Sequence, residues 1–369
     1  MQATDFSSRT GPLAGVRVVE FAGIGPAPFG VMLLADLGAD VLRIDRPGQR
    51  VARADVTARG RRSLELDLKD PACAALCLSF IEKADVLVEG FRPGVMEKLG
   101  LGPEPALERN PRLIYARMTG WGQTGPLAHA AAHDINYIAL TGALAAIGKG
   151  EGPPVPPLNL VGDFGGGSLY LAFGIASALF ERSVSGEGQI IDAAIVDGTA
   201  SLMSIFQGFA SVGQVDMERG RNLLSGAAPF YGCYACADGK YISIGAIEPH
   251  FFSRLLEMLE IDPGVFSNRD HPSSWTAGRQ IFADAFARRT RDEWCALLEG
   301  TDACFAPVLA LQEAPGHAHM KAREIYTERD GMVQPQPAPR FSRTPGRIGT
   351  APVPAGEGGK ALLEEWGIS

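Results

Sequence analysis

Three stretches of this chain carry side chains that could do chemistry. In Ala131-Ala132-His133-Asp134-Ile135-Asn136-Tyr137 an imidazole and a carboxylate stand just ahead of an apolar, helix-patterned run from Ile138 to Ile147. In Asn159-Leu160-Val161-Gly162-Asp163 a second carboxylate precedes Gly165-Gly166-Gly167 and an apolar helical pattern through Leu169, Phe173, Ile175 and Leu179. A histidine taken singly is better explained by a cap or a core hydrogen bond than by proton transfer. Asp134 reads as the N-cap of the helix that follows it. Asp163, at or just before a helix start, also fits a cap, because a carboxylate there meets orphan N–H groups and the positive end of the macrodipole. The three glycines after it are less easily explained by capping: they allow a ligand close to the backbone, whose N–H groups could hold an oxyanion. The third stretch is basic. Arg43, Arg46, Arg50, Arg53, Arg59, Arg61 and Arg62 face only Asp45 and Asp55 between residues 43 and 62, a pattern that fits either a site for a polyanionic small molecule or a solvated arginine face.

The elements that must position these residues alternate β-branched runs with helical patterns, which implies a parallel sheet with crossover helices. Strands are expected at 16–21, 40–44, 64–68, 86–89 and 113–118, with helices at 27–37 and 71–83. The pattern is Rossmann-like, but Gly23, Gly25 and Gly30 are spaced GxGxxxxG, so the dinucleotide fingerprint is not met and a nicotinamide or flavin cofactor is not expected. The Gly/Pro-rich run 148–157 is a loop delivering the chain to Asp163. A long apolar helix is expected at about 194–213. From about Pro229 to Pro307 two short strands and two helices, Phe251–Leu259 and Thr276–Arg289 among the latter, suggest a smaller unit. Residues 334–359 read as an extended arm, closed by a short helix at 360–366. Such an arm and a long linker helix are most easily explained by wrapping a partner subunit.

Bulk properties narrow the classes. The 369 residues are 46% hydrophobic with a net charge of −8, which disfavours nucleic acid or an anionic membrane as the main partner. Six cysteines in so long a chain make no disulfide framework and fit a reduced, cytoplasmic compartment. Cys233-Tyr-Ala-Cys236 has zinc or redox spacing but no second close pair to complete a tetrahedral site, so no metal is expected. No signal peptide is evident, and the tail Trp366-Gly367-Ile368-Ser369 is not a peroxisomal address. The longest apolar stretch, Ser168 to Phe180, is interrupted by Gly174 and too short to span a bilayer.

Longer motifs carry a resemblance. Leu34-Ala-Asp-Leu-Gly-Ala-Asp-Val-Leu-Arg-Ile-Asp-Arg-Pro47, Glu89-Gly-Phe-Arg-Pro-Gly94, Asn110 through Gly125, His133-Asp-Ile-Asn-Tyr137, Pro157 through Gly167, Gly245-Ala-Ile-Glu-Pro249 and Thr301-Asp-Ala-Cys304 follow one another in order over roughly residues 11–345. In them the sequence resembles the α-methylacyl-CoA racemases, within the wider CaiB-type, family III class of CoA transferases. The resemblance implies an α/β fold forming an interlocked homodimer: a large Rossmann-like domain built from both chain ends and a smaller α+β domain, with the active site between the large domain of one subunit and the small domain of the other. The boundaries then read as residues 1–193 for the large CoA-binding domain, 194–228 for the linker helix region, 229–310 for the small domain, and 311–369 for the return linker and the arm that completes the large domain. It implies His133 and Asp163 as the proton-transfer pair, and Glu248 supporting the histidine. Arg46, Lys69, Lys98 and Tyr137, with Arg92 a further candidate, would lie at the CoA site. CoA is part of the substrate, and no separate cofactor is implied.

Epimerising a 2-methylacyl thioester requires a base on one face of the α-carbon, an acid on the other, and stabilisation of the enolate between them. His133 and Asp163 would supply the first two, and the helix start at Asp163 the third. The rival is a CoA transferase in which Asp163 is the nucleophile of a mixed anhydride. His133 argues against it, since related transferases generally lack that histidine. A CoA-binding regulator without turnover is disfavoured by the joint presence of His133, Asp163 and Glu248. The chain departs from the group at Ala132, where glycine is usual, and at Ser225-Gly-Ala-Ala-Pro229, where Asp-Gly-Gly-Ala-Pro is usual, which bears on the shape of the acyl site.

Overall fold

The computed structural model describes residues 10–368; residues 1–9, part of the stretch read for a signal peptide, and Ser369 lie outside it. The described chain divides into two compact units, one of residues up to Thr141 with Pro157–Met203 and Glu324 onward, the other of Gly142–Pro156 and Ser204–Arg323.

The first unit runs β1 (Arg17–Phe21), α1 (Pro26–Asp36), β2 (Asp40–Asp45), β3 (Arg61–Glu65), α2 (Pro71–Lys83), β4 (Val86–Glu89), α3 (Val95–Lys98), α4 (Pro103–Arg109), β5 (Ile114–Thr119) and α5 (Asp134–Leu140). The chain then leaves for the other unit, where it forms α6 (Ala143–Ala146). It returns as a π-helical turn at Leu160–Ser168, followed by α7 (Leu169–Ser185), β6 (Gln189–Ala194) and α8 (Ile195–Leu202). The six strands are all parallel in the order β3-β2-β1-β4-β5-β6, the doubly wound arrangement. Alternate residues of each strand feed two cores. Val19, Leu42, Leu87 and Tyr115 pack with Phe80 and Ile81 of α2 on one face; Val18, Val41, Val86 and Ile114 pack with Val31 of α1 and Leu171 and Ile175 of α7 on the other. Strands buried on both faces read as continuous apolar runs, so β1, β2, β4 and β5 lie within a residue of their expected limits.

β3 does not. The apolar pattern placed it at 64–68, whereas the strand is Arg61–Glu65. Its arginines are buried because carboxylates meet them: Arg61 Nε donates to Glu20 Oε2 at 2.9 Å, and Arg62 Nη2 to Asp40 at 2.8 Å. Arg59 pairs with Asp36 at 2.5 Å and Arg43 with Asp45 at 2.8 Å. Four of the seven clustered arginines are therefore structural, and the cluster is neither a polyanion site as a whole nor a solvated face.

The expected arm lies along this edge of its own unit. After a hairpin of Tyr326–Arg329 and Met332–Pro335, residues 347–357 bond back to the main sheet: Gly60 N–H donates to Thr350 O, Ser63 N–H to Glu357 O, and Arg43 Nη2 to Val353 O. A terminal helix then seats Trp366 edge-on to Phe80, with its indole N–H on Asp40. These bonds give the arm an intrachain role.

Two helical expectations also change. The single helix of 194–213 is broken at Met203 into α8 and α9 (Ser204–Ser211). The apolar run 168–180 belongs to a continuous helix, Leu160–Ser185, long and apolar enough by length and composition to cross a membrane. Gly174 does not interrupt it; a Cβ there would make an ordinary 3.4 Å contact with Ile191 of β6.

In the second unit, β7 (Tyr231–Ala235), β8 (Tyr241–Gly245) and β9 (Phe305–Val308) form an antiparallel sheet, one strand more than expected. Helices α10 (Pro249–Met258), α11 (Trp275–Phe286) and α12 (Arg291–Leu298) enclose with it an aromatic core of Phe230, Phe252, Phe266, Phe282, Phe286 and Trp294. Cys233 lies on β7 and Cys236 just past it, both as free thiols, and no metal-ligating cluster is found among the described residues.

Candidate active site

In a doubly wound sheet the connections diverge where the strand order reverses, and a crevice opens at the carboxyl ends of the strands there. Here the reversal lies between β1 and β4, and a cleft of about 500 Å³ opens at that point in the first unit. Ile24–Ala27 after β1, Gly90–Pro93 after β4 and Met118–Trp121 at the end of β5 form part of its wall, and His133, Tyr137 and Asp163 complete it. Arg92, His133, Tyr137 and Asp163 are thus brought together. Arg46, Lys69 and Lys98 are exposed and do not line the cleft; Arg46 Nη2 donates to Gln49 Oε1 at 3.3 Å. Glu248 is in the second unit, exposed at the N-cap of α10, where its side chain makes no capping bond.

His133, not Asp134, is the N-cap of α5, and its main-chain N–H donates to Asn136 Oδ1 at 3.1 Å. Asp134 is the first helical residue, is 9% exposed, and turns its carboxylate to the other catalytic candidate: Oδ1 accepts the main-chain N–H of Asp163 at 2.6 Å. Asp163 sits inside the π-helical turn rather than at its edge. The wide turn is pinned to α1 by Phe164, whose ring lies 4.5 Å from that of Phe29, and by Ser168, whose Oγ is 2.6 Å from Pro26 O. Leu158, two residues before Leu160, has φ +58°, a conformation that a γ-branched side chain adopts at a cost and that clusters at functional sites.

The glycines after Asp163 serve packing. A Cβ on Gly166 would lie 2.7 Å from Thr199 N, and one on Gly198 of α8 would lie 1.9 Å from Gly166 O, so two helices touch backbone to backbone. That contact leaves no room for a ligand over Gly166. The N–H of Asp163 is already taken by Asp134, and that of Phe164 by Asn159 O at 3.1 Å, so the helix start at Asp163 is not the free oxyanion donor expected of it. Close approach to Asp163 is provided by Gly25: at φ +75° it places the position of its absent Cβ only 3.5 Å from Oδ2.

Electrostatics distinguish Asp163 from an ordinary surface carboxylate. Burial, then the negative charge of Asp134, push its carboxyl above the usual range, against the hydrogen bond from Asn159 and the charge of His133. Tyr137 lines the cleft, but its hydroxyl donates to Ala132 O at 2.7 Å and its ring meets Trp121 edge-on at 4.8 Å. Its phenol is raised by burial and by Asp163, with Arg92 acting oppositely. Tyr137 therefore fixes the loop that carries His133. Asp134, Gly25 and Trp121 are the residues at the site that sequence reasoning did not assign to it; only the adjacency of Asp134 to His133 pointed that way.

The family model for CoA-transferase family III matches residues 13–358. The chain belongs to CoA-transferase family III. Within this family it is 46% identical over 97% of its length to the α-methylacyl-CoA racemase of Mus musculus, covering 94% of that protein, and equally so to that of Homo sapiens. It is 32% identical to the acetyl-CoA:oxalate CoA-transferase of Acetobacter aceti over 91% of this chain and 90% of the other. Among solved structures, a CAIB/BAIF family protein from Brucella suis superposes with a TM-score of 0.82 at 26% identity, covering 97% of this chain and all of that one. The family III fold and its parallel sheet are thus common to both, while the level of identity separates the racemases from the transferases.

Proposed function

We propose that this chain is an α-methylacyl-CoA racemase, interconverting (2R)- and (2S)-2-methylacyl-CoA thioesters by proton removal and return through an enolate. The observation that carries the reading is that an imidazole and a carboxyl held towards its protonated form line one cleft at the sheet's switch point. His133 takes the α-proton from one epimer while protonated Asp163 delivers a proton to the opposite face, and the roles reverse for the other epimer. Each such group is worth about 10²–10⁴-fold in rate. The enolate oxygen is met by the main-chain N–H groups of Asp134 and Ile135 in the first turn of α5, that of Asn136 already donating to His133 O at 2.8 Å. Arg92 binds the substrate's CoA portion at the cleft, and Arg46, Lys69 and Lys98 act on the more distant phosphates; Tyr137 contributes ring surface. No further cofactor is needed, and a cytoplasmic location suits the free thiols.

The working form is an interlocked homodimer in which Glu248 of a second copy fixes the tautomer of His133 and stabilises its imidazolium. Two features support this: the uncommitted Glu248 side chain, and the apolar stripe of Leu169, Phe173, Phe180 and Val184, each more than half exposed on α7. A second copy suits that stripe better than a bilayer, since the opposite face of the same helix is buried against the sheet. Sedimentation as a stable monomer would contradict the dimer.

Deuterium wash-in at the α-carbon of a panel of 2-methylacyl-CoA thioesters, read by mass spectrometry, tests the activity and finds the preferred acyl group. Acyl exchange with a free acid, and trapping of an acyl-aspartyl adduct at Asp163 by hydroxylamine, would instead establish the transferase.

A further inference from the structure

We propose that the side chain of Asp134 is a positioning residue, a strut that fixes where Asp163 stands relative to His133. The inference rests on the reading of His133 and Asp163 as the proton-transfer pair. Asp134 is joined to His133 by a single peptide bond and to Asp163 by the 2.6 Å bond from the Asp163 N–H to Oδ1. One carboxylate therefore spans the two segments that must address opposite faces of a single carbon. The approach is possible because residue 162 is glycine: a Cβ there would lie 2.3 Å from Oδ1 and 2.8 Å from Cγ of Asp134. Burial of Asp134 to 9% exposure keeps its carboxylate out of water and its bond to Asp163 short.

The strut also carries a charge. The groups facing Asp163 are Asp134, His133 and Tyr137 from the start of α5, Arg92 from the turn after β4, and the neutral Asn159, while α1 presents only Gly25. Among them Asp134 is the one fixed carboxylate. Its repulsion keeps the proton on Asp163 to higher pH, which a donor to the enolate requires. Geometry and protonation of Asp163 thus depend on the same atom group, and they separate under substitution.

Asp134→Asn retains an acceptor for the Asp163 N–H and removes the charge. Its expected effect is a fall in the pH at which Asp163 titrates, with a matching shift in the lower limb of the pH profile for α-hydrogen exchange and an unchanged KM. The Asp163 titration is read directly from its carboxyl infrared band, assigned by the loss of that band in Asp163→Asn. Asp134→Ala removes both functions, and kcat should fall about 100-fold. Gly162→Ala, which leaves Asp134 in place but forces its carboxylate away, should lower kcat in the same way, so a folding failure of one variant leaves the other to decide. The proposal is overturned if Asp163 titrates in Asp134→Asn as in the parent, or if the folded Asp134→Ala or Gly162→Ala protein keeps the parent kcat. Full exchange by Asp163→Asn would instead end the proton-transfer reading, while the infrared shift in Asp134→Asn would still stand on its own.

Discussion

The edge of the sheet beside β3 and the cleft at its switch point are both dense in charge, and they use it in opposite ways. At the edge every buried guanidinium has a carboxylate of the same unit: Arg59 with Asp36, Arg61 with Glu20, Arg62 with Asp40 and Glu365. In the cleft, burial and then the like charge of Asp134 raise the affinity of Asp163 for a proton, against the hydrogen bond from Asn159 and the charge of His133. Paired charge holds the fold; charge left unbalanced around a cavity is what can move a proton or hold an anion.

The contrast predicts separable losses. The largest is in the cleft: His133→Ala and Asp163→Ala should each reduce α-hydrogen exchange by about 10²–10⁴-fold, with unfolding free energies within about 0.5 kcal/mol of the parent. Equal losses of stability and activity would erase the distinction. At the edge, Glu20→Ala leaves Arg61 buried and unpaired and should cost about 3–5 kcal/mol in urea unfolding, with turnover per folded molecule retained. A cost below 1 kcal/mol would show that the pair is dispensable. Smaller again are the binding effects. Arg92→Ala should raise KM for the thioester about tenfold through loss of a charge-assisted bond, and Arg46→Lys less than that, as an exposed group outside the cleft. An unchanged KM in either variant removes that residue from the CoA site.

The same contrast explains what the sequence could convey. Hydrophobic runs locate β1, β2, β4 and β5, because a strand buried on both faces must be apolar whatever its neighbours. β3 escapes that rule, since its arginines are made compatible with burial by Glu20 and Asp40, carboxylates on other strands that no local window associates with them. The glycines after Asp163 were legible as a place of close approach, but not as to what approaches: the partner is Gly198 and Thr199 of α8, about thirty residues on. His133 and Asp163 were legible only through their motifs. That they share a cleft depends on a crossover and on a π-helical turn, neither of which leaves a mark in the composition of either segment.

The most direct measurement begins with one pure epimer of a 2-methylacyl-CoA thioester in deuterated solvent, stopped in the first tenth of reaction and analysed separately for each epimer. Two groups on opposite faces predict inverted product carrying one solvent deuterium, while unreacted substrate remains largely protonated. Equal labelling of both epimers from the outset, or inversion that retains the original hydrogen, would show a single group serving both faces and would contradict the pairing of His133 with Asp163.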